Sequence, residues 1–247
     1  WEETPVLFAL LNPTEDTNYV RIGRAYLGSE GPDGGTQQPD SLYYTNLTVV
    51  VEALGPNGQL KATYTLPEAS EVVLNTNGPF VPTGYKAYRL VGNLNEDYTY
   101  RVKAFKENQT EPLLVATTTL IKMSTWVLRE PSPVGGALVR IPIGSKNGAK
   151  FRWDQAVNAR MYQGFLRFRW TETVEGGDLA DSIRYSVDYP LPTLVGNNLL
   201  GNGEVNTAVG YEDFYNFLAN TPALPVKPGV LRWFRGIDLH LVAGSDD

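Results

Sequence analysis

The chain has 247 residues, of which 42% are hydrophobic and 19% charged, so it can bury the core of one large or two ordinary domains. Its net charge of −6 argues against a nucleic-acid partner, because such a surface needs a basic field. It contains no cysteine, which excludes disulfides, thiolate metal sites and thiol catalysis, and its single histidine is His240.

The first half alternates between short apolar stretches and turns. Residues 6–11 and 19–27 predict one hairpin, and residues 47–54 and 60–66 predict another around the turn sequence Gly-Pro-Asn-Gly. Further strands are predicted at 85–91, 98–106 and 113–121, and long loops at 28–41 and 67–84. About seven strands at such short spacing predict an immunoglobulin-like or prealbumin-like β-sandwich for residues 1–122.

The strongest β pattern of the chain lies in the second half, at residues 162–171. Tyr162, Gly164, Leu166, Phe168 and Trp170 alternate with polar and charged residues, which is typical of a half-buried strand. Other strands are predicted at 137–143, 151–153, 183–189, 230–233 and 236–243, and a loop at 190–203.

One stretch of the second half predicts a helix, YEDFYNFLAN at 211–220. Its aromatic and leucine side chains recur on one face, acids occupy its first turn, and Pro222 follows it. A helix this short has little stability alone in water, so we expect it to pack on a sheet. Residues 123–247 are therefore predicted to form a second β-sandwich-like domain with this helix, which makes the whole chain mostly β.

The sequence predicts no catalytic residue, no metal ligand and no cofactor, and we expect a protein that is not an enzyme. His240 alternates with Ile237 and Leu239, so it is expected on the polar face of a strand. The acidic residues cluster in turns without the spacing of a calcium loop. Two carboxylates could make a glycosidase, but 27 acidic residues supply such pairs by chance.

Three aromatic residues are candidates for ligand binding. Tyr43 and Tyr44 lie beside the long Gly/Pro-rich loop, and Trp233 lies between Arg232 and Arg235. Exposed aromatic rings could stack on a sugar or receive a partner protein, whereas most aromatic residues of the chain are expected to be core. Tyr43 and Tyr44 are the preferred surface candidates.

Four stretches together resemble a known family: PVLFALLNPTEDTNYVRIGRAYLG, RWDQAVNARMYQGFLRFRWTE, YEDFYNFLAN and RWFRGIDLHLVAGSDD. They are similar to envelope lipoproteins of Bacteroidetes of the DUF4249 type, a domain of unknown function. The resemblance implies a lipid-anchored protein outside the cytoplasm, at the outer membrane or cell surface, often beside a TonB-dependent transporter. The lipid of such proteins sits on a cysteine after the signal peptide, so we expect this chain to start downstream of that cysteine and to be shortened at its C-terminus.

These observations lead to the expectation of a non-enzymatic binding or accessory lipoprotein, attached to the membrane only through an anchor that this chain lacks. One alternative is a surface glycan-binding protein, which exposed aromatic rings in one groove would favour. Another is a pilus or adhesion subunit, which would offer an exchangeable edge strand. The ligand or partner, the oligomeric state and the angle between the domains do not follow from the sequence.

Overall fold

The computed structural model describes residues 4–25, 43–69, 86–132, 139–141, 143–144, 148–196, 200–222, 224 and 227–245. Within these ranges the chain is mostly β, as the sequence predicts, with antiparallel sheets and one α-helix. The chain divides into two compact units, Trp1–Leu120 and Ile121–Asp247. This boundary lies two residues before the one predicted after residue 122.

The first unit contains two antiparallel sheets among its described residues. One has the order β1-β2-β6-β5 and the other the order β4-β3-β7-β8. The strands are β1 (Thr4–Leu10), β2 (Thr17–Ala25), β3 (Leu47–Leu54), β4 (Leu60–Leu66), β5 (Glu68–Ala69), β6 (Ala87–Val91), β7 (Thr99–Lys106) and β8 (Leu114–Thr119). The predicted turn between β3 and β4 is confirmed, and Gly58 occupies the left-handed region there with φ of 74°.

The core of the first unit lies between its two sheets. Val20 and Ile22 of β2 join Val49 and Val51 of β3 in one buried cluster. Buried positions alternate with exposed ones along the first part of β2 and with partly buried ones along β3. This period of two is what places one face of each sheet against the other. The unit is therefore sandwich-like.

The second unit is built on one long strand and a helix. Its strands are β9 (Val127–Glu130), β10 (Ala149–Asp154), β11 (Met161–Val174), β12 (Ile183–Pro190), β13 (Leu194–Val195), β14 (Glu204–Val209) and β15 (Val230–Gly244), and its helix is α1 (Tyr211–Asn220). One sheet has the order β14-β10-β9, and in the other β11 pairs with β12, β13 and β15. Short 3₁₀ turns occur at Met123–Thr125 and Leu179–Asp181.

The predicted alternation of β11 and the predicted packing of α1 are confirmed. Tyr162, Leu166 and Trp170 are buried, while Gln163 and Arg169 are exposed. In α1 the two most buried side chains are Phe214 and Leu218, which join the core cluster that contains both sheets. The apolar stripe of the helix thus faces the sheets, where burial supplies the stability that a ten-residue helix lacks alone.

The structure of the second unit differs from the prediction in five places. No strand is predicted from the sequence at the positions of β9 and β14, and the loop predicted at 190–203 contains β13. The two strands predicted at 230–233 and 236–243 are the single strand β15, whose pairing with β11 shifts by one residue at a β-bulge. Of the strand predicted at 137–143, the described residues 139–141 and 143 are not in a strand. The loop predicted at 28–41 lies outside the described residues. Of the loop predicted at 67–84 the structure describes only residues 67–69, and these include the short strand β5.

Candidate functional site

Tyr43 and Tyr44 are buried, so the prediction that they form an exposed aromatic pair is wrong. Each is only 3% exposed, and Tyr44 belongs to the core cluster of the first unit. Two arginines of β2 hold them there. Arg21 Nη2 donates a hydrogen bond to the Tyr43 hydroxyl oxygen at 2.8 Å, and Arg24 Nη2 donates to the Tyr43 carbonyl oxygen at 2.7 Å.

The ring of Tyr44 is covered by cations. The Arg24 guanidinium carbon lies 4.7 Å from the ring centroid and Lys106 Nζ lies 5.3 Å from it. Such cation–π contacts use the ring faces that a sugar or a partner would need. The sequence placed these residues beside a Gly/Pro-rich segment and therefore at the surface, but the arginines of β2 and the adjacent core bury them.

Trp233 is a surface residue, in contrast to the tyrosines. It is 47% exposed and lies on β15 opposite Thr171 of β11. Tyr43 and Tyr44 belong to the first unit and Trp233 to the second, so the three candidates do not form one site within a single unit. Its role in ligand binding stays a prediction.

His240 lies on the outer face of the β11 sheet. Its ring stacks on Phe165, with the centroids 4.7 Å apart and the planes 12° from parallel. The two residues are directly opposite in the pairing of β11 with β15, so the contact is a cross-strand pair of the kind that stabilises sheets. Among the described residues, no group of three or more His, Asp or Glu side chains could hold a metal ion.

The same outer face carries two ion pairs next to each other. Arg167 binds Asp188 of β12 through two hydrogen bonds of 2.8 Å, and Arg169 Nε lies 2.6 Å from Asp238 Oδ2 on β15. All four side chains are partly hydrated, so these pairs contribute little to the stability of the fold. They keep this face of the sheet wet, as the alternating arginines predicted.

A buried acid, Glu172, lies on the inner side of the same sheet, beyond the bulge. It is 6% exposed and accepts hydrogen bonds from Lys227 Nζ at 2.9 Å, Arg232 Nε at 2.9 Å and the Trp170 indole N–H at 3.2 Å. The Lys227 ammonium above all, with the Trp170 and Arg232 donors, holds the pKa of this carboxyl below its ordinary value against the opposing effect of burial. The cluster ties β15 and the segment before it to β11.

Strand β1 carries an exposed row of apolar side chains that the sequence motifs did not predict. Val6, Phe8 and Leu10 point away from the core, and Phe8 and Leu10 are 66% and 73% exposed. Leu10 is paired with Tyr19 of β2, which is also exposed. We call these four residues the β1 apolar face. The uninterrupted apolar run at residues 6–11 carried the clue, because a strand with one core face needs apolar residues only at alternate positions.

Strand β1 is also an edge strand in the sheet as the structure describes it. Among the described residues β1 pairs only with β2, at the end of its sheet. Leu7 and Ala9 pack on the core, so the strand is fixed in place by its inner side chains. An edge strand that is anchored, apolar and uncharged is what strand addition or side-by-side packing with another protein requires.

No protein-family model matches this chain, and no curated protein matches it significantly. The family resemblance of the sequence therefore stays a prediction. In the part of the chain that the structure describes, no helix is long and apolar enough to cross a lipid bilayer.

Proposed function

We propose that the protein is a non-enzymatic binding or accessory protein, lipid-anchored at the outer membrane or cell surface, and that its N-terminal unit binds a partner protein through the β1 apolar face. The observation that carries the proposal is the exposure of Phe8 and Leu10 on an edge strand. The partner we propose is a TonB-dependent outer-membrane transporter, which the family resemblance implies.

Exposed apolar side chains such as those of Phe8 and Leu10 are unfavourable in water. Full burial of a Leu or Phe side chain contributes about 1.5–3 kcal/mol, so covering the β1 apolar face would supply several kcal/mol to an interface. Edge strands are ordinarily protected by charged side chains, yet Thr4–Leu10 contains none. A partner that covers β1 would bury its apolar side chains and pair the backbone groups that have no strand partner among the described residues.

The proposal is tested by recovering the full-length protein from detergent-solubilised native envelopes and identifying bound proteins by mass spectrometry. We expect stoichiometric recovery of a β-barrel transporter with the wild type and loss of at least nine tenths of it with Phe8→Asp. The matched control is Thr117→Asp, at an exposed position of β8, an edge strand in the other sheet of the same unit. Equal recovery with both variants would contradict a role for β1, and recovery of the protein alone would contradict the transporter as partner.

Two alternatives keep specific support. A strand edge such as that of β1, which has no strand partner among the described residues, is also what a pilus or adhesion subunit offers. Such a subunit would be recovered with further copies of itself. A glycan-binding role loses the buried Tyr43 and Tyr44 and retains only Trp233.

A further inference from the structure

A cavity with a basic lining opens on the outer face of the second unit, at the bulge between β11 and β15. It has a volume of about 590 Å³. Its polar lining comes from three strands and the connection before β12, and comprises Arg169, Thr171, Ser182, Arg184 and Arg235. The bulge builds it, because the pairing passes from Arg169–Gly236 to Trp170–Phe234 and leaves Arg235 as the extra residue.

The three arginines of the cavity are not neutralised equally. Arg169 is paired with Asp238. Arg235 Nε donates a hydrogen bond to the Thr171 hydroxyl at 3.0 Å, and within the described residues neither Arg235 nor Arg184 has a carboxylate within 4.0 Å. The guanidinium groups of Arg184 and Arg235 therefore share one cavity without a carboxylate of the described residues within 4.0 Å of either.

This arrangement favours an oxyanion. Arginine presents its N–H donors in a planar fork that matches two oxygens of a sulfate, phosphate or carboxylate group. Thr171 and Ser182 add hydroxyl groups, and Thr171 is only 2% exposed, so it forms part of the floor of the cavity. A local basic site in a chain of net charge −6 concentrates an anion at one place on a surface that otherwise repels it.

Trp233 does not itself line the cavity but is the cross-strand neighbour of Thr171, which does. In the sheet register, Thr171 lies between Trp233 of β15 and Arg184 of β12, so all three residues belong to one row across the strands. Trp233 is 47% exposed, and an exposed indole is a stacking surface for a sugar ring. We propose that the cavity binds the sulfate or phosphate group of an anionic saccharide, with the sugar ring packed on Trp233. The site lies in the other unit from β1 and does not depend on the partner proposed for β1.

The test is isothermal titration calorimetry of the full chain at about 0.15 M salt with three probes: inorganic sulfate, a chondroitin sulfate hexasaccharide and its unsulfated counterpart. A parallel titration with inorganic phosphate distinguishes the two oxyanions. We expect the sulfated hexasaccharide to bind at least tenfold more tightly than the unsulfated one, and inorganic sulfate to compete with it.

The variants locate the binding site. We expect Arg184→Gln with Arg235→Gln to weaken binding of the sulfated hexasaccharide at least tenfold, and Trp233→Ala to weaken it without changing the affinity for inorganic sulfate. Arg140→Gln removes one charge of the same unit away from this cavity and is expected to leave the affinity unchanged. Unchanged far-ultraviolet circular dichroism and thermal midpoints verify that the variants are folded.

Each outcome decides a part of the proposal. Equal affinity of the wild type and the double arginine variant would overturn the oxyanion site. Binding of inorganic sulfate with no gain from the sugar, or no effect of Trp233→Ala on the hexasaccharide, would overturn the saccharide part.

Discussion

Replacement of Glu172 by Gln removes the acid from the buried cluster while keeping the size of the side chain. The two cations Lys227 and Arg232 then lose their carboxylate, although the amide oxygen can still accept one hydrogen bond. Breaking a fully buried ion pair costs about 3–5 kcal/mol. The side chains of Lys227 and Arg232 are 41% and 29% exposed, so water can replace part of the interaction that they lose with the Glu172 carboxylate. We therefore expect a loss of about 2–3 kcal/mol in the free energy of unfolding of the second unit.

Urea unfolding followed by tryptophan fluorescence measures this loss, because four of the five tryptophans (126, 153, 170 and 233) belong to the second unit. The expected shift of the midpoint is about 1 M urea. Glu175→Gln, at an exposed turn position directly after β11, is the matched control, and we expect it to change stability by less than about 0.5 kcal/mol.

The stability that Glu172 contributes should depend on pH. Since the pKa of Glu172 is lowered in the folded protein, its contribution is present above the ordinary value of 4.5 and is lost as the pH falls through the folded pKa. The difference between wild type and Glu172→Gln should therefore be full at pH 7 and shrink below pH 4.5. A variant as stable as the wild type at pH 7, or a difference that is constant down to the acid limit of folding, would refute the ion-pair account.

Three further predictions concern packing and burial. Gly164→Ala should lower the free energy of unfolding by about 2 kcal/mol, because the new Cβ would lie 2.4 Å from the carbonyl oxygen of His240. Gly244→Ala is the control for the same urea assay. We expect it to be tolerated, because the nearest atom to its Cβ would be 3.9 Å away. Phe214→Ala should cost about 3–5 kcal/mol and lower the calorimetric midpoint of the second unit, because the ring is 1% exposed; a loss below about 1 kcal/mol would contradict the packing of α1. Burial raises the pKa of Tyr88 to about 12, so stability should fall as the pH rises above 10 and Tyr88→Phe should reduce that fall; absorbance titration at 295 nm that assigns Tyr88 an ordinary pKa would contradict it.

Side-chain periodicity predicted the architecture well. The alternation at residues 162–171 reflects a strand with one face in the core, and the stripe of YEDFYNFLAN reflects a helix with one face on the sheets. Both patterns follow from backbone geometry and burial, which act locally. The hydrophobic pattern was a weaker guide where the strand structure depends on pairing with a neighbouring strand. β14 follows a Gly/Asn-rich segment, and the pattern of β15 is interrupted at Gly236, which has a φ of 147° at the bulge.

The functional surfaces were harder to predict, because they depend on which faces the fold leaves uncovered. Tyr43 and Tyr44 were expected at the surface from their neighbours in sequence, but Arg21 and Arg24 of β2 determine their burial. The arginine-lined cavity joins residues of β11, β12 and β15 that are up to 66 positions apart in the chain, from Arg169 to Arg235. Only the strand pairing brings such residues together.

Site-specific photo-crosslinking in living cells tests whether β1 is the surface that binds the partner protein. A photoreactive phenylalanine analogue replaces Phe8 in the full-length protein, and the same analogue at Thr117 serves as the control. If β1 binds the transporter, we expect the analogue at position 8 to crosslink to a β-barrel transporter and the analogue at position 117 to give no such crosslink. A crosslink of Phe8 to a second copy of the chain would favour a self-assembling subunit, and no crosslink at Phe8 under conditions where the wild-type protein recovers its partner would contradict the claim that β1 is the binding surface.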